Sequence, residues 1–192
     1  MNPIIVTNTK GVKIQSDIFS KQFSRRIIYL IGEINDITAT EIIAQLDYLD
    51  NESDEDITMI INSPGGIVSS GFAIIDAMNR SRCIIKTQVT GIAASMAAVI
   101  AANGTRGYRY VTPLAKMMLH QPLGGACGQA TDIEVSAREI LKVKKLISIM
   151  LSEITGKPIN KISADCERDF YLDSQAAVEY GVADRICSGS VY

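Results

Sequence analysis

Short apolar runs alternate with segments of helical period along most of this 192-residue chain. Parallel strands joined by crossover helices produce that pattern, because such strands are buried on both faces and read as near-continuous apolar runs. The candidates are 26–31, 57–61, 84–90, 109–111 and 116–119, with a short one near Arg185. Between them, a helix over 38 to about 49 opens with Thr38 and Glu41 as a capping box and offers Ile42, Ile43, Leu46 and Leu49 as a buried face. Two more helices begin directly after SPGG (63–66) and GIAAS (91–95), so both turns end at helix N-termini. The fold class is α/β.

Residues 131–155 do not fit so easily into two layers. Thr131 and Glu134 form a capping box at one end, and Gly156 and Pro158 mark the stop. At 1.5 Å per residue this helix runs roughly 37 Å, comparable to the diameter of the domain, so it projects or lies along a neighbour. Its apolar residues, among them Ile133, Val135, Ile140, Leu141, Ile147, Met150 and Ile154, crowd more than one face after Leu146. A long core helix is one reading. A self-association handle is the other, favoured because a large exposed apolar patch marks an interface.

Hydrophobic content of 47% over this length suits one domain with a sizeable core. Nineteen basic and twenty-one acidic residues leave a net charge of −2 with no basic stripe, so no nucleic-acid partner is expected. Cys83, Cys127, Cys166 and Cys187 form neither a CxxC pair nor a dense disulfide framework, and reduced thiols are expected. The opening MNPIIVTNTK has no basic region leading into an apolar stretch, and the longest apolar run, 92–102, is too short for a bilayer. A cytoplasmic protein without a membrane partner is expected.

Chemistry narrows by elimination. The sequence holds no GxxxxGK[ST], no GxGxxG after a strand and no cluster with metal-ligand spacing, so neither a bound cofactor nor a metal is expected. His120 is the single histidine, and any His-dependent acid–base mechanism uses it. It ends an apolar strand and leads into Gln121, Pro122 and a glycine-rich loop, where α/β folds place reactive groups; the alternative is a structural histidine.

Ser95 stands where a strand ends and a helix begins, among the small residues Ala93, Ala94, Ala97 and Ala98. Serine caps helices commonly. The same placement also serves a nucleophile, since free N–H groups and the positive end of the dipole stabilise an oxyanion. The turn is like a nucleophile elbow but lacks the GxSxG pattern. Paired glycines in SPGG allow backbone amides to approach a substrate, or simply form a turn. The stretch 123–128 is a flexible loop or an exposed strand edge able to pair with a peptide.

INSPGG (61–66), GIAASMAA (91–98), HQPLGGACGQATDIE (120–134) and ERDFYL (167–172) occur in that order. Together they resemble the proteolytic subunits of the Clp protease (ClpP) family, from about Pro3 to the C-terminal strand. The resemblance implies a Ser-His-Asp serine endopeptidase, with Ser95, His120 and Asp169 as the triad and the amides of Gly66 and Met96 as the oxyanion hole. It also implies that Leu123, Gly124 and Gly125, opposite Ile67 and Val68, pair with the substrate backbone. Asp169 is selected by the family motif and not by spacing.

The implied fold is a crotonase-like ββα spiral forming a single peptidase domain over 1–192, with an axial N-terminal segment (1–20) and a projecting handle region (121–156). The implied assembly is two stacked heptamers that enclose the serines, with Glu167 and Arg168 linking ring contacts to the triad acid. Peptides and unfolded proteins are the implied substrates, in ATP-dependent quality control. An AAA+ unfoldase of ClpX, ClpA or ClpC type is the implied partner and the only user of ATP. Where the family pattern often carries two tyrosines for unfoldase docking, this chain has Thr58 and Ile60, and only Met1 and Asn2 precede Pro3. The alternative is therefore a paralogous regulatory subunit of a mixed ring with impaired docking. A crotonase-like acyl-CoA enzyme, which needs no serine nucleophile, is disfavoured by Ser95 and His120.

Overall fold

Runs rich in isoleucine, leucine and methionine at 27–34 and 57–61, with the more polar but largely buried segment 85–89, form the centre of a mainly parallel sheet. The computed structural model describes residues 3–9, 12–187 and 189. The expectations for Met1 and Asn2 lie outside the described residues. A hairpin of β1 (Ile4–Thr9) and β2 (Val12–Asp17) comes first. It leads through α1 (Ile18–Phe23), capped by Asp17, into β3 (Ile27–Ile34). Then follow α2 (Asp36–Glu52), β4 (Ile57–Gly66), α3 (Val68–Arg80), β5 (Ile85–Ala94) and α4 (Met96–Ala102). The chain continues through β6 (Arg109–Val111), β7 (Lys116–Leu119), α5 (Ala130–Thr155), α6 (Ile159–Asp165), β8 (Phe170–Asp173), α7 (Ser174–Tyr180) and β9 (Arg185–Ile186).

The seven-stranded sheet runs β3-β4-β5-β6-β9, and β7 pairs with both β5 and β8. Its pairs are parallel except β7 with β8. This is the expected α/β architecture. The core side carries Ile28, Leu30, Ile57, Met59, Ile61, Ile85 and Val89, all buried. Each such side chain contributes about 1.5–3 kcal/mol when fully removed from water. Every residue of α4 is buried, which is why the sequence uses alanine there: a helix enclosed on all sides must be thin.

Several boundaries differ from the sequence reading. Arg26 is not in a strand; it takes φ 61° and, nearly buried, donates to the Leu49 carbonyl in the last turn of α2 and to the Ser53 and Glu55 carbonyls beyond its end. Helix α2 begins at Asp36, because Asn35 accepts from the Ile37 and Thr38 amides while Thr38 Oγ1 accepts from the Asn35 amide. Thr38 thus sits at the third helical position and the expected Thr38–Glu41 box does not form. SPGG and GIAA are strand extensions rather than turns, with Gly65 and Gly66 paired to Glu33 and Ile34 of β3.

Helix α5 starts at Ala130, where the Gln129 carbonyl accepts from Asp132 and Ile133, so Thr131 is already inside the helix and caps nothing. Gly156 ends it in the left-handed conformation, as expected. Its apolar residues divide differently from the sequence reading. After Leu146 the helix lies on the core through Ile147 and Leu151, and the exposed apolar side chains are Ile133, Val135, Leu141 and Leu146. The projecting half is the first half, since residues 130–135 are all exposed. Among the described residues, no helix is long and apolar enough to cross a membrane.

Candidate active site

Strand β5 runs straight into α4 through Ser95, whose backbone takes φ 55° and ψ −127°. Among the described residues only Arg26 and Ser95 have positive φ without being glycine. Such a conformation costs of order 1–3 kcal/mol and persists only where neighbours over-determine it. Here they do: the Ser95 amide donates to the Met118 carbonyl of β7 at 2.8 Å, and the Ser95 carbonyl accepts from Ala98 at 3.0 Å. The side chain makes no capping hydrogen bond. Its Oγ lies 2.9 Å from His120 Nε2 instead.

Gly65 makes this turn possible. A Cβ there would stand 2.6 Å from the Ala94 carbonyl oxygen, 2.7 Å from Ser95 Cβ and 3.1 Å from the Met96 nitrogen. The sequence reading took the paired glycines as one unit, but they do separate work. Gly65 clears space for Ser95, and Gly66, at φ 154°, fits against the Ile34 backbone. Met96 is the first residue of α4, so its N–H belongs to the helix's unpaired first turn. Its buried side chain lies on Gly71 of α3.

His120 leaves the end of β7, and Asp169 immediately precedes β8. The antiparallel ladder closes on the pair Leu119–Phe170, so the residues just beyond it are brought face to face across a long stretch of sequence. His120 Nδ1 lies 3.3 Å from Asp169 Oδ1; the imidazole is largely covered while the carboxylate remains 56% exposed. That distance is slightly longer than a relaxed N–H···O bond. Catalytic hydrogen bonds of unliganded sites are often long and tighten on complex formation.

A cavity of about 240 Å³ opens at the Ser95–His120 pair, lined also by Pro64, Gly66, Val68, Met118, Pro122 and Leu123. Val68, Pro122 and Leu123 also border an adjoining cavity of about 190 Å³ whose far wall is Glu139, Ile140 and Val143 of α5. A larger cavity of about 360 Å³ lies between α1, β3 and α2, but no nucleophile–base pair lines it. Among the described residues, no group of three His, Cys, Asp or Glu side chains could hold a metal ion.

Ser95, His120, Asp169, Gly66, Met96, Val68 and Leu123 are therefore gathered at one place. Ile67 is exposed at the start of α3 and does not line the cavity, and neither does Gly125. Gly124 is held against α5, where a Cβ would meet Ile140 Cδ1 at 2.6 Å. Residues 121–129 form no strand, so of the two forms expected for the glycine-rich stretch, the loop is the one present. Glu167 pairs with Lys144 of α5 at 3.0 Å, and Arg168 is exposed. Pro64, Met118 and Pro122 lie within the turn, strand and loop that the sequence reading used, but it did not assign them to the lining of the site.

A hydroxyl on a strained strand-to-helix turn, an imidazole at hydrogen-bonding distance and a carboxylate behind it form the arrangement by which proteins activate serine for attack on a carbonyl. The family model for Clp protease matches residues 10–190. That match takes in the Ser95 turn, the His120 loop, the Asp169 segment and the whole of the main sheet, and this chain belongs to the Clp protease family.

Proposed function

We propose that this chain is a serine endopeptidase that hydrolyses peptide bonds, with Ser95 as nucleophile, His120 as general base and Asp169 as the group that orients and charges the imidazole. The observation that carries the reading is the 2.9 Å contact of Ser95 Oγ with His120 Nε2, with Asp169 Oδ1 3.3 Å from Nδ1. His120 removes the hydroxyl proton as oxygen attacks, delivers it to the amine as the C–N bond breaks, then takes a proton from the water that releases the acyl group and returns it to Ser95. The amides of Gly66 and Met96 stabilise the oxyanion, a role in which one donor is worth about 10²- to 10³-fold in turnover. Substrate lies as an extended strand between the segment of Ile67 and Val68 on one side and that of Leu123, Gly124 and Gly125 on the other, with Val68 and Leu123 facing the cavity.

The exposed apolar residues of α5 favour assembly through the handle region (121–156) into two stacked seven-membered rings, with Glu167 and Arg168 at the contact. The chain acts as one peptidase domain, with residues 1–20 at the ring axis. An AAA+ unfoldase then feeds unfolded proteins into a cytoplasmic chamber that itself needs no cofactor or metal. A mixed ring with a paralogue is the second reading. Thr58 and Ile60, both buried in the single chain, offer an unfoldase little surface and no aromatic ring.

Native mass measurement, combined with fluorogenic-peptide hydrolysis by wild type and Ser95→Ala, tests assembly and chemistry together. A tetradecamer whose hydrolysis and fluorophosphonate labelling both vanish in Ser95→Ala is the expected result. Hydrolysis that survives the substitution would sink the reading.

A further inference from the structure

The segments that carry His120 and Asp169 are joined a second time, on the side away from the β7–β8 ladder. Gln121, next to His120, donates its amide to the Cys166 carbonyl at 2.7 Å and its Nε2 to the Glu167 carbonyl at 3.0 Å. Across this junction lies Lys144 of α5. Its Nζ donates to Gln121 Oε1 at 2.7 Å and to Glu167 Oε2 at 3.0 Å, reaching partners 23 residues away in both directions along the chain. The other cations of α5 that pair do so along their own helix, Arg138 with Glu134 and Lys142 with Glu139. Those are solvated surface pairs of little consequence. Lys144 is different in kind because its side chain is only 29% exposed and its ammonium closes a ring of hydrogen bonds between two separate segments.

Without that ring, the two segments would still be joined by the Leu119–Phe170 end of the ladder and the Gln121 amide bond to the Cys166 carbonyl, but no side chain would fix the Glu167 end beside a carboxylate that is more than half exposed. Hydrogen bonds from an ammonium to a carboxylate are stronger than neutral ones and orient both partners. Lys144 also stands just before Ile147, where α5 first becomes buried, so its anchor point is the fixed part of the helix. The Glu167 carboxyl is held below its usual range, first by the hydrogen bond from Lys144 and then by its charge.

Resting on the proposed roles of Ser95, His120 and Asp169, we propose that Lys144 is a positioning residue for the peptidase reaction. It clamps Gln121 to Glu167 and so sets the separation of imidazole and carboxylate. It touches neither the substrate nor the reacting atoms. Its contribution falls on turnover and not on substrate affinity, since misplacing a catalytic group slows the chemical step.

The test compares full-length, assembled wild type, Lys144→Met, Lys144→Arg and Lys145→Met in fluorogenic-peptide hydrolysis, with native mass and thermal midpoint measured in parallel. Lys145, exposed on the same helix, serves as the control. Lys144→Met is expected to lower kcat about 10- to 100-fold with KM within about twofold and assembly unchanged. Lys144→Arg, which keeps the charge and the donors, is expected to restore most of the loss. A Lys144→Met enzyme with wild-type kcat, or an equal loss from Lys145→Met, overturns the proposal. If Lys144→Met does not assemble, Gln121→Met reads the same link from its other end: a kcat loss supports the clamp and an unchanged kcat overturns it. A wild type that neither hydrolyses peptide nor labels at Ser95 overturns the triad reading, and this proposal with it.

Discussion

Gly65→Ala tests whether the Ser95 turn depends on the space beside it. The new methyl would lie 2.6 Å from the Ala94 carbonyl oxygen and 2.7 Å from Ser95 Cβ, both backbone-anchored, so no flexible side-chain end can move aside. Overpacking of this kind costs about 1–3 kcal/mol. The φ of +91° adds about 1–2 kcal/mol for any residue with a Cβ. Relief requires Ser95 to shift away from β4, and a displacement of about 1 Å at a reacting group costs roughly 100-fold in rate. Gly107 separates the two contributions, since it has nearly the same φ, +89°, with nothing within 4 Å of its Cβ position. Gly107→Ala should therefore lose only the backbone contribution in chemical denaturation and keep wild-type hydrolysis. Gly65→Ala should lose more stability and about 100-fold in peptide turnover and fluorophosphonate labelling rate. Equal effects of the two substitutions, or a Gly65→Ala enzyme with wild-type turnover, would refute the steric reasoning.

Arg168→Ala is expected to weaken the double ring and peptide hydrolysis together, and sedimentation of an intact, fully active tetradecamer would count against that. Asp50 bears on acid stability: hydrogen bonds from the Ser81 hydroxyl first, and then from the Arg82 amide, hold its carboxyl down at about 2. The folded value lies below the unfolded one of about 3.9, so the stabilisation is complete above the unfolded value and lost as pH falls towards 2. Ser81→Ala removes the leading donor and should lose less stability than wild type between pH 5 and pH 2.5 in urea titrations; identical slopes would show that Asp50 is not the group responsible.

The α/β class was legible because strands buried on both faces leave near-continuous apolar runs, as β3 and β4 do. Their ends were not, because β4 and β5 continue through glycines on the strength of pairing partners that local sequence does not name. Asn35 and Gln129 displaced the expected helix starts by a similar logic, since a cap is decided by which carbonyls and amides are already engaged. His120 was legible as the single imidazole. For Ser95, the strand-to-helix position was legible, but its positive φ was not, and that angle turns the hydroxyl away from capping and towards His120. Asp169 carries no local signal at all, because its place is set by the register of β8 on β7. Lys144 was hidden for the same reason: its partners are remote in sequence and meet it only when α5 folds back on them.

The β7–β8 ladder also imposes an order on synthesis. Ser95 and His120 have both been translated once β7 and the loop after it exist, but Asp169 arrives only with β8, after α5 and α6. A nascent or truncated polypeptide that stops short of Phe170 exposes a serine and an imidazole without the strand that delivers their carboxylate. On the roles proposed for these residues, a chain still short of β8 lacks the carboxylate that orients His120, and peptide hydrolysis is expected only once β8 has paired with β7.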